Sequence, residues 1–159
     1  MGEGAGGSGP AAEPFNVVFC DDVRREVTGK DILIGVYSGD IVLPTVPALF
    51  EVSLWIQFRT AGVGVVSAKV RVTDPAGNTA GQTRLELPVG GAAGGPGGMT
   101  GAMALAPLPI SVMQAGAISV YWSVGENDFT LIGEKRVTIG PVATANALPS
   151  APRPPVPPA

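Results

Sequence analysis

Histidine is absent from this 159-residue chain, and cysteine occurs once, as Cys20. Without histidine the chain has no Ser-His-Asp or Cys-His catalytic group, no His-ligated zinc and no imidazole base that titrates near neutral pH. One cysteine excludes an intrachain disulfide and a thiolate cluster for zinc or iron–sulfur within one chain. We therefore expect a protein that is not an enzyme and that has no cofactor and no metal site.

Charge is also scarce, at 14% of residues, with a net charge of −3. The ten basic residues are scattered except at Arg24/Arg25 and Lys135/Arg136, so no stripe exists that would follow a phosphate backbone. No window approaches the roughly 18 apolar residues of a membrane span. We expect neither nucleic acid as a partner nor a membrane span. The lone cysteine and the absence of signal-peptide features in the first residues favour a cytoplasmic location.

The two ends and one internal segment have extreme composition. Residues 1–14 are rich in Gly and Ala, and residues 141–159 are rich in Pro, so neither offers apolar side chains that would offset ordering entropy. We expect both to be disordered, although the P-x-x-P spacings of the second suit an aromatic groove on a partner. Residues 90–101 are dense in glycine, which predicts a flexible loop. They lack the lysine of a P-loop, so phosphate binding is not expected there. One domain over residues 15–140 follows.

Between the ends, apolar residues recur with a period of two. In residues 50–58 every even position is apolar, whereas the odd positions carry Glu51, Ser53, Trp55 and Gln57. This alternation predicts a strand with one buried face. Trp55 is placed on the polar face, where an outward tryptophan suits a binding partner unless a loop or tail covers it.

Two hairpins follow from the same alternation. Residues 66–72 and 85–87 flank a turn at Asp74–Asn78, and a shared inward face requires paired residue numbers with an odd sum, as in Asp74 with Thr79. Residues 118–124 and 129–139 flank a second turn. Prolines restrict residues 41–43 and 103–113 to sheet edges.

Strands of this number and spacing predict an all-β fold. We expect eight or nine short strands in a two-sheet antiparallel sandwich of the immunoglobulin-like or C2-like type, because single-faced strands must bury that face against a second sheet. A small closed barrel is the alternative. No segment of ten or more residues has apolar spacing of 3.6, so no substantial helix is expected.

Charge concentrates in residues 21–31, which hold seven of the 23 charged side chains. One interpretation is a recognition loop, in which Arg24 and Arg25 bind a carboxylate or phosphate while Asp21 and Asp22 are available to a cation. The other is a solvated connection whose charges pair internally. Asp40 joins the first interpretation if it converges with the loop at one end of the sandwich.

Two further predictions concern chemistry near this segment. Cys20 precedes two carboxylates, which should raise the pKa of its thiol, so we expect a buried and unreactive thiol. The turn residues Asp40, Asp74, Glu126 and Asp128 could hold calcium only by converging from separate turns, because no EF-hand spacing occurs.

Three motifs carry a resemblance to a known family. Phe19-Cys-Asp-Asp-Val-Arg24, then Gly29-Lys30, then Ile34-Gly-Val-Tyr-Ser-Gly-Asp-Ile-Val42 with Pro44, resemble the opening of a small bacterial family catalogued as a domain of unknown function. The resemblance covers residues 15–60 most clearly. It implies a compact β-sandwich and supplies no activity.

Three hypotheses about function result. The first is a protein-binding or scaffolding module that uses Asp21, Asp22, Arg24, Arg25, Asp40 and Trp55. The alternative is a C2-like domain that binds calcium or anionic lipid through turn carboxylates. A carboxylate-based hydrolase ranks last, because it needs two acids held about 5–10 Å apart in a cleft.

Overall fold

The computed structural model describes residues 11–89 and 99–141, and in these residues it contains ten strands and no helix. The strands are β1 (Ala11–Cys20), β2 (Asp22–Arg25), β3 (Asp31–Ile34), β4 (Ile41–Leu43), β5 (Ala48–Ala61), β6 (Gly64–Thr73), β7 (Thr79–Val89), β8 (Met99–Val112), β9 (Gly116–Val124) and β10 (Thr130–Ile139). The described part of the chain therefore has no helix suited to crossing a membrane. The predictions for residues 1–10, 90–98 and 142–159 fall outside the described residues.

The described residues contain ten strands where eight or nine were expected, and the strands form three sheets rather than two. A three-stranded sheet has the order β1-β5-β8, a five-stranded sheet has the order β4-β10-β9-β6-β7, and β2 and β3 form a separate pair. All pairings are antiparallel except that of β4 with β10, which corrects the fully antiparallel prediction. A parallel pair needs a long connection, and here the strands β5 to β9 intervene between the two partners.

The two larger sheets share one core. The predicted inward positions of β5 are confirmed for Val52, Leu54, Ile56 and Phe58, which are buried, whereas Phe50 is only half-buried against the core. Ser53, predicted on the outward face, is also buried. The four buried inward residues pack in one apolar cluster with buried residues of β6, β8 and β9. The rings of Phe58 and Trp122 stack across the sheets, with centroids 6.2 Å apart. Each fully buried aliphatic side chain in such a core contributes about 1.5–3 kcal/mol to folding.

The β6–β7 hairpin has the register that the sequence predicts along most of its length. The pairs from Gly64↔Val89 to Val72↔Gly81 keep an odd sum, which leaves both apolar sets on one face. A bulge then pairs Thr73, rather than Asp74, with Thr79. Asp74 instead closes the turn, because its Oδ1 accepts hydrogen bonds of 2.9 Å from the backbone N–H groups of Ala76 and Asn78.

Two segment boundaries differ from those expected. Strand β1 begins at Ala11, inside the expected leader, because Ala12 is buried in the core and its carbonyl accepts a hydrogen bond of 3.3 Å from Trp122 Nε1. Strand β8 begins at Met99, inside the expected glycine-rich loop. Gly101 belongs to that strand and pairs with Phe58, and glycine suits the position because a Cβ there would lie 2.7 Å from the Phe58 ring.

The edge predictions are confirmed. Strand β4 is an outer strand of the five-stranded sheet, and β8 is an outer strand of the three-stranded one. Both strands lie in the segments whose prolines predict an edge position. A strand that lacks a backbone donor is tolerated where no second neighbour needs it.

Candidate functional site

The charge-dense segment forms a β-hairpin rather than a loop. Strands β2 and β3 pair from Asp22↔Ile34 to Arg25↔Asp31, and Glu26 N–H donates to the Lys30 carbonyl at 2.8 Å to close the turn. Side chains two residues apart share a face, and so do paired residues. One face therefore carries Val23, Arg25, Asp31 and Leu33, and the other carries Asp22, Arg24, Ile32 and Ile34.

The first face covers Trp55 on the polar side of β5. Trp55 Nε1 donates a hydrogen bond of 2.9 Å to Asp31 Oδ2, and Arg25 Nε lies 3.0 Å from Asp31 Oδ1. The Asp31 side chain is only 11% exposed. The hydrogen bonds from Arg25 and Trp55 lower the pKa of Asp31 against the opposing effect of burial. The carboxylate thus fastens the hairpin to the sheet.

A second fastening lies at the base of the hairpin. The Tyr37 hydroxyl donates a hydrogen bond of 2.5 Å to Asp21 Oδ1. Burial, followed by this hydrogen bond and the negative charge of Asp21, raises the pKa of Tyr37 to about 12. Gly35 allows the approach, because its φ is +64° and a Cβ there would lie 1.9 Å from Asp21 Oδ2. Asp21 is therefore a structural acceptor in this arrangement.

The second face of the hairpin points to solvent. Ile32 and Ile34 are 43% and 39% exposed, and Arg24 lies opposite Ile32 in the pairing. Arg24 Nε contacts Asp22 Oδ2 at 2.8 Å, yet the arginine side chain is 70% exposed. An exposed ion pair of this kind contributes about 0–1 kcal/mol, so a partner can displace it at little cost.

Asp40 does not join the hairpin. It lines a separate hollow of about 810 Å³ with Glu134, Lys135 and Arg136 from β10. The link between the two places is indirect, because Lys135 Nζ donates a hydrogen bond of 2.6 Å to the Tyr37 carbonyl. Of the six residues expected to form a site, the structure brings Asp21, Asp22, Arg24 and Arg25 into one hairpin over Trp55.

Four residues of the hairpin region were not among the predicted site residues: Asp31, Tyr37, Ile32 and Ile34. The signal available was alternation on both sides of the turn, with Val23 and Arg25 before it and Asp31 and Leu33 after it. The high charge of residues 21–31 made this alternation difficult to recognise. The hairpin covers Trp55, which corresponds to the alternative stated above for an outward tryptophan.

Cys20 lies at the junction of β1 with the hairpin and is fully buried. Its Sγ lies 3.7 Å from the Ser53 carbonyl, as donor to acceptor. Burial raises the pKa of the thiol, and the charges of Asp21 and Asp22 add to the effect. The predicted direction is confirmed, although burial is the larger cause.

Carboxylates in the described turns interact with different partners. Asp74 accepts hydrogen bonds within its own turn, and Glu126 lies 3.6 Å from Lys69 Nζ. Over residues 11–89 and 99–141, no group of three or more Asp, Glu or Cys side chains is arranged to hold a metal ion.

Comparison with known proteins identifies a family whose function is unknown. A family model described as a family of unknown function (DUF6941) matches residues 16–132. This range contains the whole β2–β3 hairpin and Trp55. None of the curated proteins compared matches the chain.

Proposed function

The chain belongs to the family of unknown function DUF6941, and on that premise we propose that it is a non-enzymatic module that binds another protein through the β2–β3 hairpin. Scaffolding is one form of this activity. The observation that carries the proposal is the outer face of the hairpin, on which Arg24, Ile32 and Ile34 are exposed together.

The hairpin is held in place before any partner arrives. The Trp55–Asp31–Arg25 contacts fix its inner face, and the Tyr37–Asp21 hydrogen bond fixes its base. A rigid surface loses less conformational entropy on binding than a flexible loop does. Two exposed aliphatic side chains beside an arginine also suit an interface centre, which is apolar and enriched in arginine but otherwise depleted of charged residues.

The chemistry of the face specifies the partner. Ile32 and Ile34 need an apolar surface, and Arg24 needs a carboxylate that replaces Asp22. We therefore propose a protein partner with an aliphatic patch bordered by an acidic side chain. Arg25 and Trp55 support the hairpin from beneath and do not form the contact surface.

The finer architecture remains our proposal. Two larger sheets with a common core support a sandwich of the immunoglobulin-like or C2-like type. No arrangement of the described carboxylates favours the calcium or anionic-lipid alternative, so we do not propose it as a second function. We also propose a cytoplasmic location, on the strength of the single buried cysteine.

The test is affinity purification from the source cells with three forms of the full chain. The hairpin variant is Arg24→Ala/Ile32→Ser/Ile34→Ser. The matched control is Arg84→Ala/Val63→Ser/Val65→Ser, which also removes one exposed arginine and two exposed aliphatic side chains, but around β6 and β7. We expect a partner that the wild type and the control retain and the hairpin variant loses.

Binding is then measured with the purified partner by calorimetry. Loss of even one interface anchor should weaken the affinity by about 30-fold or more, since an anchor contributes about 2 kcal/mol. Thermal melting of both variants checks that they fold. Equal recovery of every partner by the hairpin variant and the wild type would remove this surface from consideration.

A further inference from the structure

Arg71 lies on the outer face of the five-stranded sheet, in a strand with a neighbour on each side. Strand β6 is flanked by β9 and β7, and Arg71 is paired with Tyr121 on one side and Gln82 on the other. Its neighbours in the strand, Val70 and Val72, point into the core and are buried. The arginine therefore projects away from the core on a rigid part of the fold.

Two aromatic rings hold the guanidinium in place. Its central carbon lies 5.0 Å from the ring centre of Tyr121 and 4.1 Å from that of Phe129. Phe129 comes from the β9–β10 turn, which is tied back by a hydrogen bond of 2.5 Å from Ser123 Oγ to the Asn127 carbonyl. The faces of both rings attract the cation.

Arg71 differs from Lys69 and Arg84, two neighbouring cations on this face. Lys69 Nζ lies 3.6 Å from Glu126, and Arg84 Nε lies 3.1 Å from Glu86. The Arg71 side chain has no ion pair or hydrogen bond with any described residue, and its Nε is buried without a hydrogen-bond partner. An anion that reaches the guanidinium therefore gains charge-assisted hydrogen bonds without displacing an internal ion pair.

We infer that Arg71, Tyr121 and Phe129 form a binding site for a monovalent carboxylate. A guanidinium donates two parallel N–H bonds to the two oxygens of a carboxylate, and the two nearby rings offer apolar contacts to the group that bears it. The single positive charge of Arg71, which no described side chain neutralises, matches one negative charge. A dianionic phosphate fits less well, because Glu86 and Glu126 neutralise the neighbouring cations. The site is on a different sheet from the hairpin, so it does not depend on the proposed function.

Two sources supply such a group: a free aromatic or aliphatic acid, and a glutamate or aspartate side chain of a protein. Sodium benzoate and N-acetylglutamate amide are the probes for these sources, and benzamide is the neutral equivalent of benzoate. Each is titrated into the full chain while the Arg71 side-chain N–H and the Tyr121 and Phe129 amides are followed by NMR. The probe with the higher affinity identifies the source.

We expect saturable shifts at these three residues with at least one carboxylate and no saturable shift with benzamide. In Arg71→Gln the affinity should fall by about tenfold or more, which is the loss expected for one charge-assisted pair. Arg71→Lys should recover only part of it, because an ammonium does not form the planar paired contact. The control Arg84→Gln, on the same face, should bind like the wild type.

Two outcomes would overturn the inference. One is a set of shifts that grows linearly with both carboxylates in the wild type. The other is saturable binding that Arg71→Gln retains in full. The amide spectrum of Arg71→Gln shows whether the sheet is intact, so loss of folding is distinguished from loss of the site.

Discussion

The indole nitrogen of Trp55 donates a hydrogen bond to a carboxylate oxygen of Asp31, which lies 24 residues away in the chain. This bond joins β5 to the hairpin and explains how a tryptophan on the polar face of a strand is kept from full exposure. Asp31 also contacts Arg25, so one carboxylate connects both strands of the hairpin to the sheet.

Trp55→Phe should loosen the hairpin without unfolding the core. Phenylalanine keeps much of the apolar contact but lacks the N–H donor, so the free energy of unfolding should fall by about 1–2 kcal/mol. Urea denaturation measures this change. Hydrogen exchange should show faster exchange in β2 and β3, with little change in β6 and β7. Equal loss of protection in both hairpins would contradict the local role of this bond.

Asp31→Asn should destabilise the protein in a pH-dependent way. The folded state lowers the pKa of Asp31 below its ordinary value of 3.8, so the stabilisation is present above that value and is lost as the pH falls through the folded pKa. The difference in unfolding free energy between wild type and Asp31→Asn should therefore be greatest near neutral pH and shrink in acid. Arg25→Gln should show the same trend, because Arg25 is the largest cause of the lowered pKa. A difference that is constant with pH would refute this assignment.

The high pKa of Tyr37 predicts a late phenol titration. Ultraviolet absorbance of tyrosinate should include a component with a pKa of about 12 that Tyr37→Phe removes. Since the folded pKa lies above the ordinary value of 10.0, the stabilisation is complete below pH 10.0 and is lost as the pH rises toward about 12. Asp21→Asn should shift the component downward only in part, because burial is the larger cause. An unchanged component in Asp21→Asn would show that the Tyr37–Asp21 hydrogen bond does not affect the pKa of Tyr37.

The parts of the fold that depend on local alternation could be predicted from the sequence. The buried face of β5 and the register of β6 with β7 follow from a period of two and from the chemistry of one turn. Edge positions for β4 and β8 follow from proline, which lacks the backbone donor. Each of these inferences uses residues that are close together in the chain.

The candidate site could be predicted only in part, because its geometry depends on long-range packing. Charged residues 21–31 favour a loop as readily as a hairpin, and nothing local shows that Asp31 meets Trp55. The start of β1 was missed for a similar reason. Ala12 and its neighbours have the composition of a flexible leader, but pairing with β5 and contact with Trp122 place them in the sheet. Arg71 likewise appears as an ordinary outward residue until the β9–β10 turn brings Phe129 over it.

Cys20 should react with thiol reagents only when the protein opens. Its side chain has no exposed surface, and burial together with the charges of Asp21 and Asp22 raises the thiol pKa, so both access and thiolate content are low in the native state. With DTNB at mildly alkaline pH, the native chain should react far more slowly than the chain in urea.

The reaction rate of Cys20 also reports on the hairpin, because this residue lies where β1 passes into β2. If the hairpin opens separately from the core, Trp55→Phe should accelerate the reaction with DTNB at urea concentrations too low to unfold the sheets. If Cys20 becomes accessible only on global unfolding, the variant should accelerate the reaction by no more than its loss of global stability predicts. Native-state labelling as fast as that of an unfolded thiol would contradict the burial on which both expectations depend.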